Sequence, residues 1–275
     1  MSSESCEINQ ALREMLETGV SAVLVTLVES PKSGAGLEIG TKFVVDDLGR
    51  RIATLGWPPL DDAVVAAVPG FLSSRDEAKL IRAETIAPDI SDFAGAALLF
   101  ERIEAEPQLV IAGAGHVGAA LARLAALVGY RVTLIDDRAE FLRRELFNSD
   151  RETGIELVVA KDWHEALRIA TANGRGVSVA IVTRGHKQDE ECLRAAISTQ
   201  PDYIGMIGSK RRTNIVLEKL REDGANEAAL NRVRAPIGLD IGAVSPEEVA
   251  LAILAEIVAE RRGGSGAALS SWRRA

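Results

Sequence analysis

The stretch QLVIAGAGHVGAALARLAALVGYRVTLIDD, residues 108–137, decides the fold of this chain. An apolar β-type run, Gln108 to Ala112, enters a glycine-rich turn, and a run with helical spacing follows. A second β-type run, Arg131 to Ile135, then ends in the acids Asp136 and Asp137. Strand, glycine turn, helix and strand in this order are a mononucleotide-binding βαβ unit. Gly113 permits the tight turn, Gly115 lets the backbone approach a phosphate, and Gly118 lets the helix lie close to the sheet. The helix N-terminus offers unpaired N–H groups and a partial positive charge to that phosphate. Asp136 or Asp137 stands about twenty residues further on, where an acid reads a ribose hydroxyl. The pattern predicts a Rossmann-type domain; ligand binding is a separate expectation, because fold does not imply function.

Working outward, β-type runs near Glu156 to Ala160, Val177 to Thr183 and Tyr203 to Ile207 alternate with helical segments, which predicts a doubly wound parallel sheet with right-handed crossovers. Ser245 as N-cap, Pro246 at the first helical position and Glu248 as the capping-box acid announce a last helix running to about Arg262. The tail from Gly263 is small, polar and basic, and is expected to be disordered. Upstream, Ile8, Leu12, Met15 and Leu16 recur at helical spacing before the apolar run Val20 to Val28. A glycine-rich loop, Ser33 to Gly40, leads to a strand at Thr41 to Val45, an Asp46 to Gly49 turn and a partner strand near Arg51 to Leu55. Trp57-Pro58-Pro59 reads as an extended turn, Leu60 to Val68 as a helix, and Leu80 to Ile86 and Ala96 to Ile103 as strands. Charges and a proline between Glu101 and Pro107 mark the boundary. The expected organisation is a smaller α+β domain over 1–104 and the Rossmann-like domain over 105–275.

Composition narrows the function classes. The net charge of −8 argues against a nucleic-acid surface. No apolar run reaches the roughly eighteen residues of a membrane span, and Met1 to Gln10 lacks the basic start and apolar core of a signal peptide, so a cytoplasmic protein is expected. The two cysteines, Cys6 and Cys192, have no zinc spacing and read as ordinary thiols; no metal site is expected. Nor is there a GxSxG elbow, an HExxH pattern or a Walker lysine, so hydrolase and triphosphatase readings lose their ground and no catalytic residue is assigned.

Ligands of an open parallel sheet bind at the carboxyl ends of its strands, which makes three loops candidates. The first is Gly113 to Gly118, where His116 either contacts the ligand or simply starts a helix. The second, Thr183 to Glu190 (TRGHKQDE), gathers His186, two cations and two acids, a mixture suited to anion binding or proton transfer; Asp189 and Glu190 equally suit a helix start. The third, Gly205 to Arg212 (GMIGSKRR), puts Ser209, Lys210 and two arginines at a helix start. Cations there oppose the helix dipole and so point to an anionic partner.

Four segments together carry a family resemblance: GAGHVGAALARLAALVGYRVTLIDDR, TRGHKQDEECLRAAI, YIGMIGSKRR and APIGLDIGAVSPEEVALAILAEIVAERR. In this order they resemble the XdhC/CoxI family of xanthine dehydrogenase accessory proteins, over most of residues 107–263. The resemblance implies a maturation chaperone that binds molybdenum cofactor as molybdopterin or its dinucleotide, supports its sulfuration by a cysteine desulfurase, and delivers it to an apo molybdenum hydroxylase. Such a factor needs no catalytic triad, and a homodimer is a candidate assembly. It would hold the cofactor through Gly113, Gly115, His116 and Gly118 at the phosphate, Asp136 beside any ribose, and His186, Ser209 and Lys210 around the rest. Relatives commonly carry SGGC-like and CGG-like segments in the amino-terminal half. The corresponding stretches here, Leu55 to Leu60 and Phe93 to Ala97, contain no cysteine, and a proline- and arginine-containing loop is replaced by Ser33 to Lys42, so no thiol role is carried over.

Two other readings stand beside this one. An NAD(P)-dependent oxidoreductase would use His186 as acid or base, with Asp136 favouring NAD because an acid repels a 2′-phosphate, and Arg138 opposing that preference. A nucleotide-sensing module would bind at the same turn without turnover.

Overall fold

The computed structural model describes residues 3–31, 38–74, 76–147, 152–172 and 175–270. Residues 33–37 of the glycine-rich loop and the last five residues of the basic tail lie outside these. The chain divides into two compact units, 1–105 and 106–275.

The first unit begins with α1 (Ser3–Thr18), followed by β1 (Ala22–Glu29), β2 (Lys42–Asp46), β3 (Arg51–Ala53), α2 (Pro58–Leu72), β4 (Ala78–Arg82), α3 (Ala83–Ile86) and β5 (Ala97–Ile103). The strands form one antiparallel sheet in the order β3-β2-β1-β5-β4. Side chains alternate across its faces, and both faces are covered, which explains why β1 reads as almost wholly apolar. Val23, Val25, Leu27, Phe43 and Val45 join Leu60, Val64 and Phe71 of α2 in one core. Ala22, Val44 and Ile52 join Ile8, Ala11 and Met15 of α1 in the other. Asp46 Oδ1 accepts the Leu48 and Arg50 amides at 3.0 and 2.7 Å and so fixes the turn between β2 and β3.

Two local expectations change. Trp57 is extended, but the prolines after it open α2, where a missing N–H costs nothing. The run 80–86 is strand only to Arg82. From there one helical turn stacks Ala83 and Ala87 on the same face, so that both enter the core, and the Ala87 amide donates to the Ala83 carbonyl at 2.8 Å.

In the second unit come β6 (Gln108–Ala112), α4 (His116–Leu127), β7 (Arg131–Asp136), β8 (Glu156–Val159), α5 (Trp163–Ala170), β9 (Val177–Ile181), α6 (His186–Thr199), β10 (Tyr203–Met206), α7 (Lys210–Glu222), α8 (Glu227–Asn231) and α9 (Pro246–Arg262). The sheet is parallel throughout, in the order β10-β9-β6-β7-β8. Leu109, Ile111 and Leu134 face α4 and α9 through Leu121, Ala125, Ile253 and Ile257. Val110, Ala112 and Ile135 face the opposite layer through Leu167, Leu193, Ala196, Val216 and Leu220. The capping box of α9 is formed in both directions, Ser245 accepting the Glu248 amide and Glu248 accepting the Ser245 amide. Beyond it, the Gly264 amide donates to the Ala259 carbonyl at 2.7 Å, while every other described residue of the tail from Gly263 is exposed.

Candidate functional site

The sheet order fixes where a ligand can enter. β6 lies between β7 and β9, with α4 on one face and α6 on the other. The loops after β6 and β9 therefore part and leave a crevice, the switch point of an open parallel sheet.

Three glycines shape its floor, in different ways. Gly113 has φ +111°, and a Cβ there would stand 2.6 Å from the Val182 carbonyl oxygen. At Gly118 a Cβ would fall 1.8 Å from the Gly113 carbonyl oxygen. Turn, helix and the end of β9 are thus in backbone contact, and no side chain fits between them. Gly115, the N-cap of α4, has an ordinary extended backbone and a Cβ there would meet nothing within 4 Å. Its missing side chain leaves open the space before the first-turn N–H groups of α4, which no side chain caps. Across the crevice α6 begins the same way, on an extended Gly185 with no side-chain cap. His116 and His186 are the first residues of these two helices, and both are exposed.

A cavity of about 70 Å³ lies between the two loops, lined in part by Gly113, Gly115, Asp136, Asp137, Arg138 and Arg184. It holds a few waters or one phosphoryl-sized group and falls short of the roughly 300 Å³ at which pockets for larger ligands begin, so the body of such a ligand would extend outward. Asp136 is 1% exposed. Its Oδ2 accepts the Ala114 amide at 2.7 Å and Arg138 Nη2 at 3.1 Å; its Oδ1 accepts Arg138 Nε at 2.9 Å and the Arg138 amide at 3.0 Å. Burial pushes its pKa up, but the Arg138 side chain, these two amides and the Arg138 charge together hold it below the ordinary carboxylate value. The acid expected beside a ribose thus has both oxygens engaged within the protein, bracing the glycine turn against the end of β7.

The third loop lies apart from this cavity. Ser209 caps α7, its Oγ accepting the Arg212 amide at 3.2 Å. The Arg212 side chain turns to Asp189, a fully buried acid of α6, whose Oδ2 accepts Arg212 Nε at 3.0 Å and whose Oδ1 accepts the Thr183 hydroxyl. Asp189 thereby ties the starts of α6 and α7 to the end of β9. Lys210 is exposed, and neither it nor Ser209 lines the cavity. Cys192 is buried in α6, which pushes its thiol pKa up and keeps it unreactive; Cys6 is exposed on α1. Among the described residues no group of three or more His, Cys, Asp or Glu side chains is placed to hold a metal ion, and no helix is long and apolar enough to cross a membrane.

The structure therefore brings Gly113, Gly115, Gly118, His116 and Asp136 together, sets His186 across from them, and leaves Ser209 and Lys210 at a separate helix start. Arg184, one of the two cations of the second candidate loop, also lines the cavity, as does Trp163, which sequence reasoning did not single out. Their signal was positional: each stands within a few residues of a parallel strand's carboxyl end.

Residues 109–257 match the family model described as the XdhC Rossmann domain. An uncharacterized protein of Escherichia coli, YqeB, is 36% identical over 180 residues, which is 64% of this chain and 31% of that protein. A Bacillus subtilis protein named as a probable xanthine dehydrogenase subunit is 28% identical over 60% of this chain and 46% of its own length. The molybdenum cofactor insertion chaperone PaoD of Escherichia coli is 33% identical over 30% of this chain and 26% of its own length. The matched regions thus span less than half of each of these relatives. A crystal structure described as a xanthine dehydrogenase from Bacillus halodurans superposes over 99% of both chains with a TM-score of 0.50 at 16% identity, a likeness of fold.

Proposed function

This chain belongs to the XdhC family, its Rossmann domain matching the family model over more than half of its length, and from that premise we propose that it is a maturation factor for a molybdenum hydroxylase that binds molybdenum cofactor at the crevice between the β6 and β9 loops. The observation that carries the reading is the open N-cap at Gly115. The start of α4 is uncapped, and a side chain there would project into free space. A phosphate fits such a helix start, where it meets unpaired N–H groups and the positive end of the dipole. Molybdopterin carries a phosphate, and its dinucleotide form carries a pyrophosphate. Gly113, Gly115 and the first-turn amides of α4 would hold that group, with His116 and His186 on either side of the entrance. The cofactor supplies the redox chemistry of the client enzyme; the residues of this chain bind and orient it for transfer. Sulfuration would be performed by a cysteine desulfurase acting on the held cofactor. NAD(P) is the competing occupant of the same turn.

The test is anaerobic incubation of the purified protein with molybdenum cofactor released from a donor enzyme, followed by measurement of co-eluting molybdenum and pterin with and without excess NAD. Stoichiometric retention, lost in the Gly115→Asp variant, is expected. Retention of NAD alone would replace this reading with a nucleotide sensor or an oxidoreductase. In cells, Gly115→Asp should leave the client hydroxylase inactive; full hydroxylase activity with the folded variant would count against the proposal.

A further inference from the structure

The third loop, with its run of cations, is the sequence's candidate for a second anionic contact, yet its residues are absent from the cavity wall, where two other arginines stand. Arg138 follows β7. Its Nε and Nη2 are fixed on Asp136 at 2.9 and 3.1 Å, and its guanidinium stacks 3.9 Å from the centre of the Phe141 ring. The fork is therefore held rigidly from behind, while Nη1 makes no hydrogen bond among the described residues. Arg184 belongs to the loop after β9 and reaches across the crevice. Between the two arginines lies the carboxylate of Asp137, with Oδ2 3.2 Å from Arg184 Nη2 and Oδ1 3.7 Å from Arg138 Nε.

We infer that Arg138 and Arg184 form an anion subsite at the end of β7, separate from the glycine turn, in which the Asp137 carboxylate holds the place of a second phosphate carried by the ligand. Asp137 is one-third exposed and makes one close bond, so its release to water costs little. A phosphate gains on it by its larger charge and third oxygen, which reaches both guanidinium groups. The same geometry reverses the nucleotide preference expected from sequence. A neutral ribose diol finds both Asp136 oxygens taken, whereas a phosphorylated ribose or a pyrophosphate meets two cations. The inference rests on the crevice being the ligand site, as in the function proposed above.

Two adenosine nucleotides that differ by one phosphate test it, by calorimetry on the full chain: adenosine 2′,5′-bisphosphate and adenosine 5′-monophosphate. The bisphosphate should bind about tenfold tighter or better, as charge-assisted contacts to two arginines imply. Arg184→Gln should remove most of that difference by weakening the bisphosphate, and Asp137→Asn should tighten bisphosphate binding. Both side chains reach the surface, so both variants should fold. Equal affinities, a preference for the monophosphate, or no binding of either overturns the subsite. Cofactor retention measured in parallel separates the two claims. Retention without nucleotide discrimination overturns the subsite and leaves the maturation reading standing; discrimination without retention does the reverse.

Discussion

The starts of α4 and α7 look alike in sequence and differ in the folded chain. Both follow a parallel strand and a glycine-containing turn, and both read as phosphate cradles. At α7 the cradle is already filled from within: Ser209 accepts the Arg212 amide, and the Arg212 side chain is bound to Asp189. At α4 the N-cap is a glycine, no side chain caps the helix, and open space lies before its first turn. A helix start is available to a ligand when its donors are not already satisfied by its own sequence, and residue type alone does not reveal that.

The largest break in this comparison should come from Gly118→Ala. Its Cβ would land on the Gly113 carbonyl, and since backbone cannot yield cheaply, a loss of about 3 kcal/mol or more is expected in urea unfolding. A cost under about 1 kcal/mol would show that helix and turn are not locked together there. Next, Asp189→Ala should cost about 2–3 kcal/mol, because it leaves Arg212 without its buried acid and the Thr183 hydroxyl with only the Gly185 carbonyl at 3.4 Å; Arg212 keeps some solvent, which limits the loss.

Smaller effects sharpen the contrast. Ser209→Ala should cost about 1 kcal/mol as a lost N-cap and leave anion binding unchanged. Gly115→Asp should do the opposite. Aspartate is a favoured N-cap, so stability should hold or rise by up to about 1 kcal/mol, while a carboxylate in the anion position lowers phosphate affinity more than tenfold. If both variants changed binding alike, the distinction between the two helix starts would fall.

The smallest effect is in the pH dependence. Asp136 has a folded pKa below its ordinary value of 3.8, so its contribution is present above about pH 4 and is lost as pH falls through the depressed value. The stability gap between the native chain and Asp136→Asn should therefore be full at pH 7 and narrow in acid below that range, as unfolding curves at both conditions would show. A gap independent of pH would mean that the Asp136 charge does not brace the turn.

Much of the frame was legible before folding. The five parallel strands, the glycine turn and the α9 capping box announced themselves through apolar runs, glycine spacing and cap residues, which are local signals. In the first unit the run 80–86 misled because its end turns helical to place Ala83 and Ala87 in one core, a decision made by packing. At the site, Gly113 and Gly118 were readable because their role is a backbone contact within one βαβ unit. Asp136 was readable as a strand-end acid but not as a satisfied one, since that depends on which way Arg138 folds and on Phe141 beneath it.

By itself, then, the sequence determined the class of fold, the position of the crevice and the glycines that line it, because periodicity, turns and caps act over a few residues. Only the tertiary structure decided which charges remain available. Asp189 with Arg212, Arg184 with Asp137, and the side-chain fork of Arg138 on Asp136 are settled by strand order and by the angles at which loops meet. Whether a charged group faces a ligand or another residue is a property of that three-dimensional pairing.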